Sequence, residues 1–85
     1  MDEAELATRT AMLPEVFADR VPPRELDGLR SMARGGEWDE LLDLLMAVLV
    51  QTKPVISAAE RDQLREILAG WGLPEGRLGD LAVRG

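Results

Sequence analysis

The chain contains no cysteine, no histidine, no tyrosine and no asparagine, and its single lysine is Lys53. Without cysteine there is neither a disulfide framework nor thiolate chemistry. Without histidine the commonest general base and metal ligand is missing, which excludes Cys/His zinc sites and the Ser-His-Asp and Cys-His nucleophile systems. Aromatic side chains are limited to Phe17, Trp38 and Trp71. No apolar run approaches the ~20 residues that span a bilayer. The opening Met1-Asp2-Glu3-Ala4-Glu5 is acidic, unlike the basic start of a secretory signal, so cytoplasmic residence is expected. The groups left for chemistry are carboxylates, arginines and the hydroxyls of Thr8, Thr10, Ser31, Thr52 and Ser57.

What is present is globular. The 85 residues are 46% apolar and 31% charged, the composition of one small folded domain and not of a disordered tail. Sixteen acids against ten bases leave a net charge of -6. Phosphate backbones and anionic lipid surfaces repel such a chain, so neither nucleic acid nor membrane is an expected partner. A basic protein surface is favoured, chiefly through faster encounter.

The apolar spacing is helical throughout and predicts an all-α fold: a small antiparallel bundle of about four helices plus a short C-terminal helix. The segments expected are 2–19, 23–34, 37–51, 57–70 and 75–81. Leu6, Thr10, Leu13 and Phe17 share one face of the first, and Pro14 inside it is expected to kink or break the helix. Pro22-Pro23 opens the second, and Gly35-Gly36 closes it. The third carries the strongest stripe, Trp38, Leu41, Leu42, Leu45, Val48 and Leu49, and is expected at the centre of the domain. Lys53-Pro54 stops it. Ser57-Ala58-Ala59-Glu60 reads as a capping box for the fourth helix, whose buried face is Leu64, Ile67, Leu68 and Trp71. Acids and arginines mix along that helix, with Glu60 or Asp62 expected to pair with Arg65. No strand alternation is long enough to make a sheet, and residues 83–85 are expected to fray.

One constellation stands out. Glu37, Asp39, Glu40 and Asp43 crowd the start of the third helix, and no base lies between Arg34 and Lys53. Asp39 and Asp43 are one turn apart, with Glu40 beside them and opposite the Trp38 stripe. Two readings are open: a solvated face whose early acids suit the helix dipole, or a contact surface for a basic partner. Paired carboxylates also hydrolyse glycosides, but no substrate cleft is evident, so no catalytic residues, metal or cofactor are expected. Trp71, between Gly70 and Gly72, caps the core or anchors a partner. Phosphopantetheine carrier proteins share this size, acidity and helical content. They modify a serine that follows aspartate, and neither Ser31 nor Ser57 does so.

The run Gly35-Gly36-Glu37-Trp38-Asp39-Glu40-Leu41-Leu42-Asp43-Leu44-Leu45 resembles the glycine-glutamate-tryptophan start of an apolar helix in small helical Maf-type immunity proteins. Pro54-Val55-Ile56-Ser57-Ala58-Ala59-Glu60 is similar to the same family's proline, apolar, serine and acidic-helix link. The likeness spans about Leu13 to Leu73. The chain departs from the pattern at Val50-Gln51-Thr52-Lys53, where family members often carry aromatic and acidic residues. The resemblance implies an immunity (antitoxin) role: binding a cognate bacterial toxin domain in the producer's cytoplasm and blocking it by occlusion, without catalysis. Many such toxins are nucleases with basic active surfaces. Glu37, Asp39, Glu40 and Asp43 are then the expected partner contacts. The alternative is a non-catalytic adaptor or docking domain that regulates another protein. Oligomeric state is not legible.

Overall fold

The computed structural model describes residues 1–85 as four α-helices, a 3-10 helix and two short strands. Helix α1 spans Glu3–Val16, α2 Pro23–Gly35, α3 Trp38–Thr52 and α4 Ala58–Gly70; strand β1 is Val55–Ser57 and β2 is Ala82–Arg84. No helix is long and apolar enough to cross a membrane.

Local chemistry accounts for the helix ends. The Asp2 carboxylate accepts the Glu5 backbone N–H at 2.8 Å and caps α1. Pro14 does not end this helix. It lies two residues before the helix closes at Val16, short of residue 19, so the hydrogen bond it removes is near the helix end. Pro23 begins α2, and Gly36 ends it in the left-handed conformation, φ 67°. The Gly36 and Glu37 amides then donate to the Ala33 and Met32 carbonyls, satisfying two orphan acceptors of the helix. Lys53 adopts φ 51° to close α3, and Pro54 prevents continuation. The expected capping box is present on α4: the Ser57 hydroxyl accepts from the Glu60 amide, and the Glu60 carboxylate accepts from the Ser57 amide.

The core is one continuous cluster. Helix α2 packs on α3 and α1, and α4 packs on α1. Leu41, Leu42, Leu45, Met46 and Leu49 make α3 the central helix, each at most 1% exposed. A β-carbon added at Gly70 would lie 2.8 Å from Leu6 Cδ2, so this glycine lets α4 approach α1 closely. At the joint between α1 and α4, Phe17 is fully buried. The Arg20 guanidinium stands over its ring, 5.0 Å from the centroid. Both Arg20 amino nitrogens grip Glu60, at 2.6 and 2.7 Å, a two-pronged pair.

Three expectations are corrected. The fold is mostly helical but not all-α, because β1 and β2 form a parallel pair in the register Val55↔Ala82, Ile56↔Val83 and Ser57↔Arg84. Three-residue strands are too short to display an alternating pattern. They form because Pro54 breaks the helix, Ile56 is buried, and pairing satisfies backbone groups that would otherwise sit unpaired against the core. Residues 82–84 are consequently held in the sheet and not frayed. The C-terminal helix expected at 75–81 is a tighter 3-10 helix, Gly76–Asp80, with Leu78 buried. Its two glycines disfavour a longer α-helix.

Candidate partner-binding groove

Two glycine-closed helix ends place the tryptophans. Gly36 closes α2 and starts α3 immediately afterwards, so Trp38 is the first residue of α3. Gly72, φ 70°, closes α4 just after Trp71; its amide and that of Leu73 donate to the Ala69 and Leu68 carbonyls. The two indoles stack with ring centroids 6.3 Å apart and planes inclined by 20°. A β-carbon at Gly36 would touch the Trp38 ring at 3.8 Å, and the left-handed backbone there would strain any other residue. Both rings are half-buried, with the Trp38–Trp71 pair packed against the core on one side and open on the other.

A polar relay fixes Trp71. Its indole N–H donates to the Thr10 hydroxyl at 2.9 Å, and that hydroxyl donates to the Leu6 carbonyl at 2.7 Å. Thr10 is the one polar side chain in the fully buried interior, and the relay accounts for it. Replacing Thr10 by valine keeps the volume and removes both bonds. The variant is expected to lose about 1–2 kcal/mol of stability, read as a lower urea midpoint, with the Trp71 indole proton shifted upfield in the NMR spectrum.

A groove of about 280 Å³ is lined by Gly36, Glu37, Trp38, Asp39, Glu40 and Trp71. A second concavity, also about 280 Å³, adjoins it and shares Asp39; Leu42, Leu68, Leu73 and Pro74 give it an apolar floor, with Asp43 and Arg77 at its edge. The four acids singled out from the sequence therefore divide. Glu37, Asp39 and Glu40 meet at the first groove, and Asp43 lies at the second with Arg77, its guanidinium 3.1 Å away.

The arrangement adds one detail to the sequence reading. Glu40 is exposed, across the helix from the buried stripe that Trp38 begins, yet the two line the same groove. A helical side chain leans towards the N-terminus of its helix, so the ring of a first residue overhangs the helix end and not its flank. Sequence reasoning also missed that Trp71 completes the wall. The available signal was that both tryptophans adjoin helix-closing glycines.

Electrostatically the groove is one-signed. Glu37, Asp39 and Glu40 are exposed, and none makes an ion pair or a side-chain hydrogen bond with the rest of the chain. Several bases are engaged elsewhere, while Arg24, Arg34 and Arg84 make no ion pair and do not line the groove. Arg30 holds the Glu15 carboxyl below its ordinary range through a two-pronged hydrogen bond. Arg20 likewise pulls Glu60 down to about 2, against partial burial that acts in the opposite direction. No group of three acids in the chain converges closely enough to hold a metal ion. What the groove offers chemically is a flat apolar aromatic wall rimmed by carboxylates, suited to holding a cationic side chain. Compared with protein families, with curated proteins and with solved structures, the chain matches none.

Proposed function

We propose that this chain is an immunity protein, a non-catalytic binding module that attaches to the basic surface of a cognate bacterial toxin domain and covers its active cleft. The observation that carries the reading is the groove at the start of α3, where three carboxylates without an ion-pair partner flank two half-buried indoles. Exposed carboxylates so close together repel one another, and a basic partner converts that repulsion into attraction. Half-buried tryptophan gives such a surface an anchor, since binding energy concentrates on aromatic residues in partly enclosed pockets. The net charge of -6 speeds encounter with a cationic cleft and keeps the chain off nucleic acid. The likeness of the Gly35–Leu45 and Pro54–Glu60 runs to Maf-type immunity proteins supplies the toxin and the cytoplasmic setting.

Co-expression with the product of the neighbouring gene tests it. The expected result is a co-purifying complex, rescue of growth, and loss of toxin activity at stoichiometric amounts of the chain. The triple reversal Asp39→Lys, Glu40→Lys, Asp43→Lys is expected to slow association about tenfold or more and to flatten its dependence on salt. A captured partner with no toxic activity would move the assignment to an adaptor domain using the same groove. Unchanged association kinetics in a folded triple variant would reject this surface.

A further inference from the structure

We propose that the groove walled by Trp38 and Trp71 is a receptor for a single arginine side chain, presented by the protein that docks on this face. The inference rests on the reading of this face as a docking surface for a basic partner, and it commits to the residue that fills it. The molecule contains the same recognition unit in closed form. At the joint of α1 and α4, Arg20 stands 5.0 Å over the Phe17 ring while both its amino nitrogens are gripped by Glu60. An aromatic face and a carboxylate thus select a guanidinium within this fold. The groove repeats those elements in a larger version. Two indoles replace one phenyl ring, and the carboxylates of Glu37, Asp39 and Glu40 replace that of Glu60. None of the chain's own arginines reaches it; the nearest described pairing on this face is Arg77 with Asp43, in the adjoining concavity.

Charge complementarity requires a cation, because no base lines the groove. Shape favours arginine over lysine. A guanidinium is planar, weakly hydrated and forked, so it can stack on an indole while its edge donates to carboxylates. An ammonium is a compact, strongly hydrated point charge and gains less from a flat wall. The Thr10 relay keeps the Trp71 ring in place before anything binds, which removes part of the ordering cost of association.

The chain has only two tryptophans and both line the groove, so their indole N–H signals report the site directly. The probes are N-acetyl-arginine amide and N-acetyl-lysine amide, titrated into the full chain at constant ionic strength. Saturable movement of both indole signals is expected with the arginine compound, at an affinity several-fold above the lysine compound. The exposed-residue variant Asp39→Asn, Glu40→Gln is expected to weaken arginine binding about tenfold, with circular dichroism verifying its fold. Equal or non-saturating responses to the two compounds, or an unaltered response in the double variant, would overturn the proposal. So would concentration-dependent self-association through the groove, which would assign it to a second copy of the chain. The two readings fail separately. A toxin that is neutralised while arginine leaves the indoles unmoved rejects only the arginine site. An arginine response without any captured partner rejects only the immunity role.

Discussion

Replacing Phe17 by alanine is expected to cost about 3–5 kcal/mol, the loss for truncating a fully buried phenylalanine. Phe17 is 0% exposed and is the largest of the fully buried side chains. It sits where α1 ends and the chain turns towards α2, so little backbone is free to collapse into the space. The variant also removes the surface on which Arg20 rests, worth about 0.5–1 kcal/mol more at a partly exposed site. Domains of this length have total stabilities of roughly 4–13 kcal/mol, so the loss is a large fraction of the total. Urea denaturation followed by circular dichroism measures it. Phe17→Leu, which refills most of the volume, is expected to lose less than half as much. A folded alanine variant with an unmoved midpoint would place the weight of the core elsewhere.

The second large effect belongs to Glu60. This carboxylate closes the capping box of α4 through the Ser57 amide and holds Arg20 with both oxygens. Glu60→Ala removes these bonds and leaves a guanidinium only 22% exposed without its main counter-ion. The expected cost is about 2–3 kcal/mol, a fall in Tm of roughly 10–15 °C for a domain of this length. The acid dependence follows in sign. The folded pKa of Glu60, about 2, lies below the ordinary 4.5, so its contribution is complete above pH 4.5 and is lost as pH falls towards 2. That loss amounts to about 3 kcal/mol. Glu15, lowered by Arg30, adds a loss of the same sign. The Glu60→Ala variant is therefore expected to show a flatter stability profile across this acid range than the parent chain. Identical slopes in urea midpoint against pH would contradict the assignment.

How much of this was legible in the sequence follows from the range of each interaction. The capping box could be read because Ser57 and Glu60 are neighbours on the chain and its geometry is local. The central position of α3 could be read because Leu41, Leu45 and Leu49 recur at helical spacing. The true partner of Glu60 could not. Of the two acids expected to pair with Arg65, the structure gives Asp62, three residues away, while Glu60, five away, reaches back to Arg20. That choice is made by the docking of α1 on α4, which Gly70 permits against Leu6. The candidate site behaves similarly. The crowding of Glu37, Asp39, Glu40 and Asp43 is visible in the sequence. The wall that turns the crowding into a groove is not, because Trp71 arrives from another helix and is held by Thr10 from a third. The strands were hidden for a different reason. Two three-residue strands carry no periodicity, and their pairing depends on α4 and the 3-10 helix folding back between them.

The parallel pairing also sets the order in which the molecule breathes. Parallel neighbours cannot be joined by a tight turn, so residues 82–84 find β1 only after α4 and the 3-10 segment have folded back across it. Their pairing involves only three residues on each side and uses the C-terminal end of the chain, so it is early to let go. Amide protons of Ile56 and Val83 should therefore exchange with solvent through a small, local release, long before those of Leu45 at the heart of α3. Each such release frees Lys53 from the Asp80 carbonyl it holds at 3.0 Å, so the tail and the end of α3 loosen as a single unit, while the two indoles stay stacked.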